Sequence, residues 1–233
     1  MKIITQTENF LEPLVACKLL AARERPKIVT GLPAIDMLPP GQGFSLGVVH
    51  EFISATYNPP VLLPVILARA ASKLGWIVWC DFSRQFYPPA AAMLGLPLDR
   101  LLILRARKQK EEFWAATEIL RCQGIAACVL PLTQLTALQA RRLQLASEKG
   151  GGIGVVLRSA KAASHPYAAA TRWLITPLPG KKTAHRCEVQ LIHGHGGRIG
   201  QPVCLEVCYE THYVRAFSSM VDQSSTTQTF AFA

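Results

Sequence analysis

The sequence predicts an α/β fold: a three-layer α/β/α sandwich whose central sheet is mostly parallel, with antiparallel strands towards the C-terminus. Three observations carry this. Apolar strand-like runs alternate with helical stretches from Val48 to Leu157. After Thr171 the apolar runs are joined by turns alone. The chain has 233 residues, half of them hydrophobic, which is enough for one domain with a substantial core.

Taken in order, residues 1–22 have the spacing of one amphipathic helix, with Phe10, Leu11, Leu14, Val15 and Leu19 three to four apart. Arg23-Glu24-Arg25-Pro26 separates this helix from the core. The expected organisation is therefore a helix and linker over 1–29, a core domain over 30–215, and a tail over 216–233. A turn-rich lead-in, Pro39-Pro40-Gly41-Gln42-Gly43, precedes a strand at Val48–Ile53. The helix Val61–Leu74 is apolar almost all round, with Arg69 and Lys73 its only charges, so it should be buried. A strand at Trp76–Asp81 comes next, then a short helix, Pro88–Leu94, stopped by Gly95.

Leu101–Leu104 reads as a buried strand and Glu111–Cys122 as a helix, with Glu111 and Glu112 in the first turn where the dipole favours them. Ile125–Leu130 is the next strand. Thr133–Lys149 reads as a helix ended by Gly150-Gly151-Gly152. Leu135, Leu138 and Leu145 fall on one side of it. Gln134, Arg141, Gln144 and Glu148 fall on the other, in solvent or against a partner. Ile153–Leu157 completes the alternating part. Thr171–Pro177, Arg186–Ile192 and Val203–Tyr209 are the antiparallel strands, with a turn at Gly194-His195-Gly196-Gly197. From Ser218 onward the tail is polar and aperiodic, and disorder is expected there.

Composition excludes several classes. At 17% charged residues this is not a disordered chain. Arg69, Lys73 and several prolines keep the longest apolar run short of the roughly 18 residues of a membrane span. Glu8, Glu12 and Lys18 interrupt any leader-like core, so a cytoplasmic protein without a membrane partner is expected. Seven cysteines stand without a framework and read as free thiols, several of them buried. Cys204 and Cys208, with Cys187, His193 and His195 nearby, lack a second pair at zinc-finger spacing and read as strand residues. The net charge of +10 favours nucleic acid or an acidic partner, with solubility alone as the bland alternative. Aromatic residues are not interleaved with the basic ones as a single-strand platform requires.

Strand, loop and helix between Val48 and Leu74 form the frame of a phosphate-binding loop, but the loop itself is degenerate. Such a loop needs G-x-x-x-x-G-K-[ST]: glycines let amides curl round the phosphates, lysine neutralises charge, and a hydroxyl holds Mg²⁺. Here the residues are Ser54, Ala55, Thr56, Tyr57, Asn58, Pro59, Pro60 and Val61. Glycine and lysine are missing, two prolines lack amide donors, and Val61 cannot ligate a metal.

The lead-in Thr30-Gly31-Leu32-Pro33 with Ile35-Asp36 and Gly47-Val48-Val49-His50-Glu51-Phe52 resembles that of RecA-like proteins. The stretches TGLPAIDMLPPGQGFSLGVVHEF, WCDFSRQFYPPAAAMLGLPLDRLLILRA, QARRLQLASEKGGGIGVVLR and AAATRWLI, taken in order from Thr30 to Val207, resemble the ImuA family. That family comprises RecA-like accessory proteins of bacterial mutagenic translesion synthesis. The resemblance implies a RecA-like core. It also marks further absences. Ser83 stands where a RecA-like ATPase carries its water-activating glutamate, and the strand Ile125–Leu130 runs into Pro131 where the Mg²⁺-binding aspartate belongs. With lysine, hydroxyl, glutamate and aspartate all gone, no ATPase activity by the usual mechanism and no cofactor are expected. Other enzyme classes fare no better: Ser45 and Ser54 lack a nucleophile elbow, and the six histidines do not pair with carboxylates at informative spacing. Asp36 reads as a turn or cap residue. Glu51 and Asp81 read either as relics of an ancestral site or as satisfied structural acids.

In recombinases of this kind a loop after the strand Ile153–Leu157 contacts DNA. Here it runs from Arg158 to Tyr167 and keeps Arg158, Lys161 and His165, with a solvated turn as the alternative reading. The other DNA loop, before the helix near Thr133, is essentially gone, so strand exchange is not expected. Candidate DNA or partner contacts are Arg105, Arg107, Arg141, Arg142, Arg158 and Lys161. The resemblance implies an ImuB-like Y-family protein, an error-prone C-family DNA polymerase and RecA as partners, with DNA as a further candidate, and nucleoid association when damage is present. Two other functions fit the same fold: a SulA-like cell-division inhibitor and an atypical nucleotide-binding protein.

Overall fold

The computed structural model describes residues 25–56, 60–106, 108–132, 134–160, 169–194 and 196–217. The expected helix over 1–22 and the tail from Ser218 lie outside these. A short strand β1 (Lys27–Ile28) pairs with β2 (Phe44–Ser45), with helix α1 (Pro33–Asp36) between them. The alternating part comes next: β3 (Val49–Ser54), α2 (Leu62–Ala71), β4 (Trp76–Cys80), α3 (Pro88–Met93), β5 (Leu101–Leu104), α4 (Gln109–Arg121), β6 (Ile125–Pro131), α5 (Ala137–Gly150) and β7 (Ile153–Arg158). Strands β8 (Thr171–Lys181), β9 (Ala184–His193), β10 (Pro202–Cys208) and β11 (Val214–Phe217) close the fold. Lys27–Ile28 pairs with Phe44–Ser45 in a separate two-stranded sheet, and Val214–Phe217 is the last strand of the main one.

The main sheet has nine strands in the order β11-β10-β9-β8-β3-β7-β6-β4-β5. From β5 to β8 all neighbours are parallel, and from β8 to β11 they are antiparallel. The strands between β8 and β4 are buried on both faces, which accounts for their largely apolar sequences. One face packs under α1, α2 and α3, where Phe44, Phe52 and Trp173 stack at centroid distances of 5.3 to 6.3 Å. The other packs under α4 and α5, with Val78, Cys80, Cys128, Leu130 and Val156 facing Ala116, Leu120, Leu143 and Ala146.

The expectation for β5 is corrected. It is an edge strand rather than a buried one, and Leu102 and Ile103 are 47% and 38% exposed.

The α5 helix also differs, in start and in face. It begins at Ala137, where Thr136 caps it: Gln139 N–H donates to Thr136 Oγ1 (3.2 Å), and Thr136 N–H donates to Gln139 Oε1 (2.9 Å). It ends on Gly151, whose φ of 82° is left-handed. Its buried stripe is Ala140, Leu143, Gln144 and Ser147, while Leu138 and Leu145 face solvent. Small residues win this face because the helix lies close over the sheet. A Cβ on Gly154 of β7 would stand 3.2 Å from Ser147 Oγ and 3.1 Å from Val49 Cγ2. Gln144, expected outside, accepts from Val49 N–H (3.1 Å) and donates to Glu148 (3.0 Å).

Candidate functional site

The frame of the phosphate loop sits at the carboxyl end of β3, leading into α2. Two of its amides are committed within the protein. Ala55 N–H donates to Ile175 O (2.8 Å), and Thr56 N–H donates to Ser54 Oγ (3.1 Å). Pro60 offers no amide, and Val61, the residue before α2, is 48% exposed. Tyr57, Asn58 and Pro59 lie outside the described residues.

Beside this turn, at the strand ends, is a cavity of about 360 Å³ walled by Val61, Val65, Trp79, Phe86, Leu94 and Leu157. Trp79 and Phe86 stack with centroids 4.1 Å apart. Asp81 and Ser83 also line it. Asp81 is engaged throughout: Oδ1 accepts from the amides of Gln85 (2.8 Å) and Phe86 (3.0 Å), and Oδ2 accepts from Arg105 Nε (3.1 Å) and its terminal nitrogen (2.9 Å). It fixes the loop after β4 and stands as a structural acid.

Glu51 is the same kind of residue. It is fully buried in β3, opposite Arg172 of β8 in the register. It accepts from Arg172 Nε and, at 3.1 Å, from Arg158. Asp36 binds the amides of Thr30 (2.8 Å) and Gly31 (3.1 Å) and the Thr30 hydroxyl (2.9 Å), which holds the TGLP turn against α1.

The candidate contact residues therefore divide. Arg158 is corrected: it is 6% exposed and paired with Glu51, so it does not present its guanidinium at the surface. Arg105 bridges to Asp81 with its side chain 47% exposed. Arg141 and Arg142 are exposed on α5, on the outer side with Leu138 and Leu145. Arg107 and Lys161 lie outside the described residues. Sequence reasoning missed the aromatic walls of the cavity and Arg172. The aromatics are visible in the sequence as Trp79, Phe86 and Tyr87, but only the fold brings them round one space.

Towards the C-terminal end, Glu206 is clamped by Arg186 (2.5 Å) and Arg215 (2.5 Å). Burial acts to raise its carboxyl, but the hydrogen bonds and charges of the two arginines prevail and hold it below its ordinary value. Burial, reinforced by Cys204, pushes the Cys187 thiol up to about 12. Burial and the neighbouring Cys80, 3.8 Å away, push Cys128 up as well. Among the described residues no group of three or more His, Cys, Asp or Glu is placed to hold a metal ion, and no helix is long and apolar enough to cross a membrane.

A parallel sheet flanked by helices, extended by antiparallel strands, with a strand-loop-helix turn at the β3 end, defines a RecA-like domain. The crystal structure of the RadB recombinase superposes with a TM-score of 0.61 at 16% identity, over 80% of this chain and 98% of that one. Protein ImuA of Caulobacter vibrioides, in strains NA1000 / CB15N and ATCC 19089 / CIP 103742 / CB 15, is 32% identical over 222 residues, covering 84% of this chain and 91% of the relative. This chain belongs to the ImuA family. No protein-family model matches it.

Proposed function

We propose that this protein is a non-enzymatic accessory factor in SOS-induced mutagenic translesion synthesis. It scaffolds an ImuB-like Y-family protein and an error-prone C-family polymerase, and it contacts RecA. One observation carries the non-enzymatic half of this reading. At the β3–α2 turn the amides of Ala55 and Thr56 are spent on internal bonds, Pro60 has no amide, and the loop holds neither glycine nor lysine. A triphosphate needs free donors and a cation there. Family membership supports the pathway.

The outer side of α5 is the candidate partner surface, because it pairs Arg141 and Arg142 with the exposed leucines Leu138 and Leu145. Arginine beside solvent-facing apolar groups is the composition of an interface centre. If DNA is touched directly, Arg141, Arg142 and Lys161 are the candidate contacts.

Affinity purification of the full chain from damage-treated cells tests the reading. A Y-family-like protein and a C-family polymerase should co-purify, and Arg141→Glu with Leu145→Glu should release them. Absence of any polymerase-related partner would sink the scaffold role, and recovery of the division GTPase instead would favour the cell-division alternative.

A further inference from the structure

Strand β4 sends its chain to α3 on one face of the sheet, and its neighbour β6 sends its chain to α5 on the other. The connections part between these two strands. At the carboxyl ends of parallel strands such a crevice is where ligands bind. The cavity beside the β3–α2 turn opens there: Asp81 follows β4, Pro131 ends β6, and both line it.

Its size suits a whole small molecule. At about 360 Å³ it falls within the range of small-molecule sites. A cavity of roughly 150 Å³ already admits benzene, so a single side chain from a partner would leave much of this space empty. Its floor belongs to the core, with Trp79, Cys80 and Ala91 all buried. Its rim is open, where Val61 and Tyr87 are exposed.

The lining excludes ions. Among the described residues no lysine, arginine or histidine lines the cavity, and Asp81 is the one charged group that does. Each oxygen of Asp81 already accepts two hydrogen bonds, Oδ1 from the amides of Gln85 and Phe86 and Oδ2 from Arg105. An anion would meet no cation, and a cation would meet a carboxylate already filled. Burying either without a partner is costly. What the walls offer is the aromatic surface of Trp79 and Phe86, with two uncharged polar side chains, Ser83 and Gln85, at the solvent side.

We propose that this cavity binds a small, uncharged aromatic molecule of fused rings carrying one polar substituent. The rings lie against Trp79 and Phe86, and the substituent hydrogen-bonds to Ser83 or Gln85. This goes beyond the accessory reading and does not rest on it.

The test uses the full chain and calorimetric titration with ligands that share one ring system: 2-naphthamide, 2-naphthoate and 2-naphthylmethylamine. The neutral amide should bind, and the anion and the cation should bind about tenfold more weakly or worse. Ala90→Trp puts an indole into the cavity from an exposed position of α3, and should abolish binding without lowering the melting temperature. Phe86→Ala keeps the Phe86 amide on Asp81 but removes an aromatic wall, and should weaken binding about tenfold. If either variant folds poorly, the charge series on the unaltered chain still decides. N-acetyltryptophanamide, a ring carried on a peptide backbone, should bind more weakly than the naphthamide. The proposal is overturned if the naphthamide fails to bind, if either ion binds equally, or if Ala90→Trp folds and leaves the affinity unchanged. Tighter binding of N-acetyltryptophanamide would also overturn it, by assigning the cavity to a partner's side chain.

Discussion

At the scale of residues, the buried charges are structural. Glu51 pairs with both Arg158 and Arg172 in the middle of the sheet, and all three are nearly or fully buried. Removing the carboxylate takes away the acceptor to which both buried guanidiniums donate. Glu51→Gln should therefore destabilise the fold by about 3–5 kcal/mol, read as a loss of denaturant midpoint without a change of slope.

His50 is neutral by the same logic. The Trp173 indole N–H donates to Thr171 Oγ1 (2.8 Å), the Thr171 hydroxyl donates to His50 Nδ1 (2.7 Å), and His50 Nε2–H donates to Ser45 O (3.1 Å). Burial lowers its pKa from 6.5 to about 4, against the opposing pull of the Ser45 carbonyl. As pH falls, the unfolded chain takes up this proton first. The stabilisation is thus complete above 6.5 and drains away as pH drops towards 4. The whole gap is on the order of 3 kcal/mol. His50→Gln should flatten that slope between the two values, and an unchanged acid profile would show that another group carries it.

At the scale of elements, α5 shows that counting leucines does not find a helix face. The stripe under the helix is small and partly polar, because Gly154 lets the backbone come close. Gln144 then satisfies the first amide of β3. Gln144→Ala should cost about 1–3 kcal/mol by orphaning that buried donor, whereas Leu138→Ser should stay within about 0.5 kcal/mol. Thermal melts of the two variants decide it, and the reverse order would refute this orientation.

At the scale of the whole molecule, the fold keeps the sheet and turn of its class and lines the space beside the turn with Trp79, Phe86 and Leu157. Calorimetry with Mg–ATP should give no binding heat at submillimolar nucleotide, and a clear isotherm would revive the nucleotide-binding alternative.

The order of strands and helices, the antiparallel close and the emptied phosphate loop were legible in the sequence alone. Each rests on neighbours within a few residues, where periodicity, turn chemistry and missing side chains can be read directly. Family resemblance added the class of fold. What Arg158 does, which side of α5 is buried, and that β5 lies at an edge were decided only in three dimensions. Glu51 meets its arginines 107 and 121 residues away. Strand order is a set of such long-range pairings, and a four-residue apolar run looks alike in the middle of a sheet or at its rim.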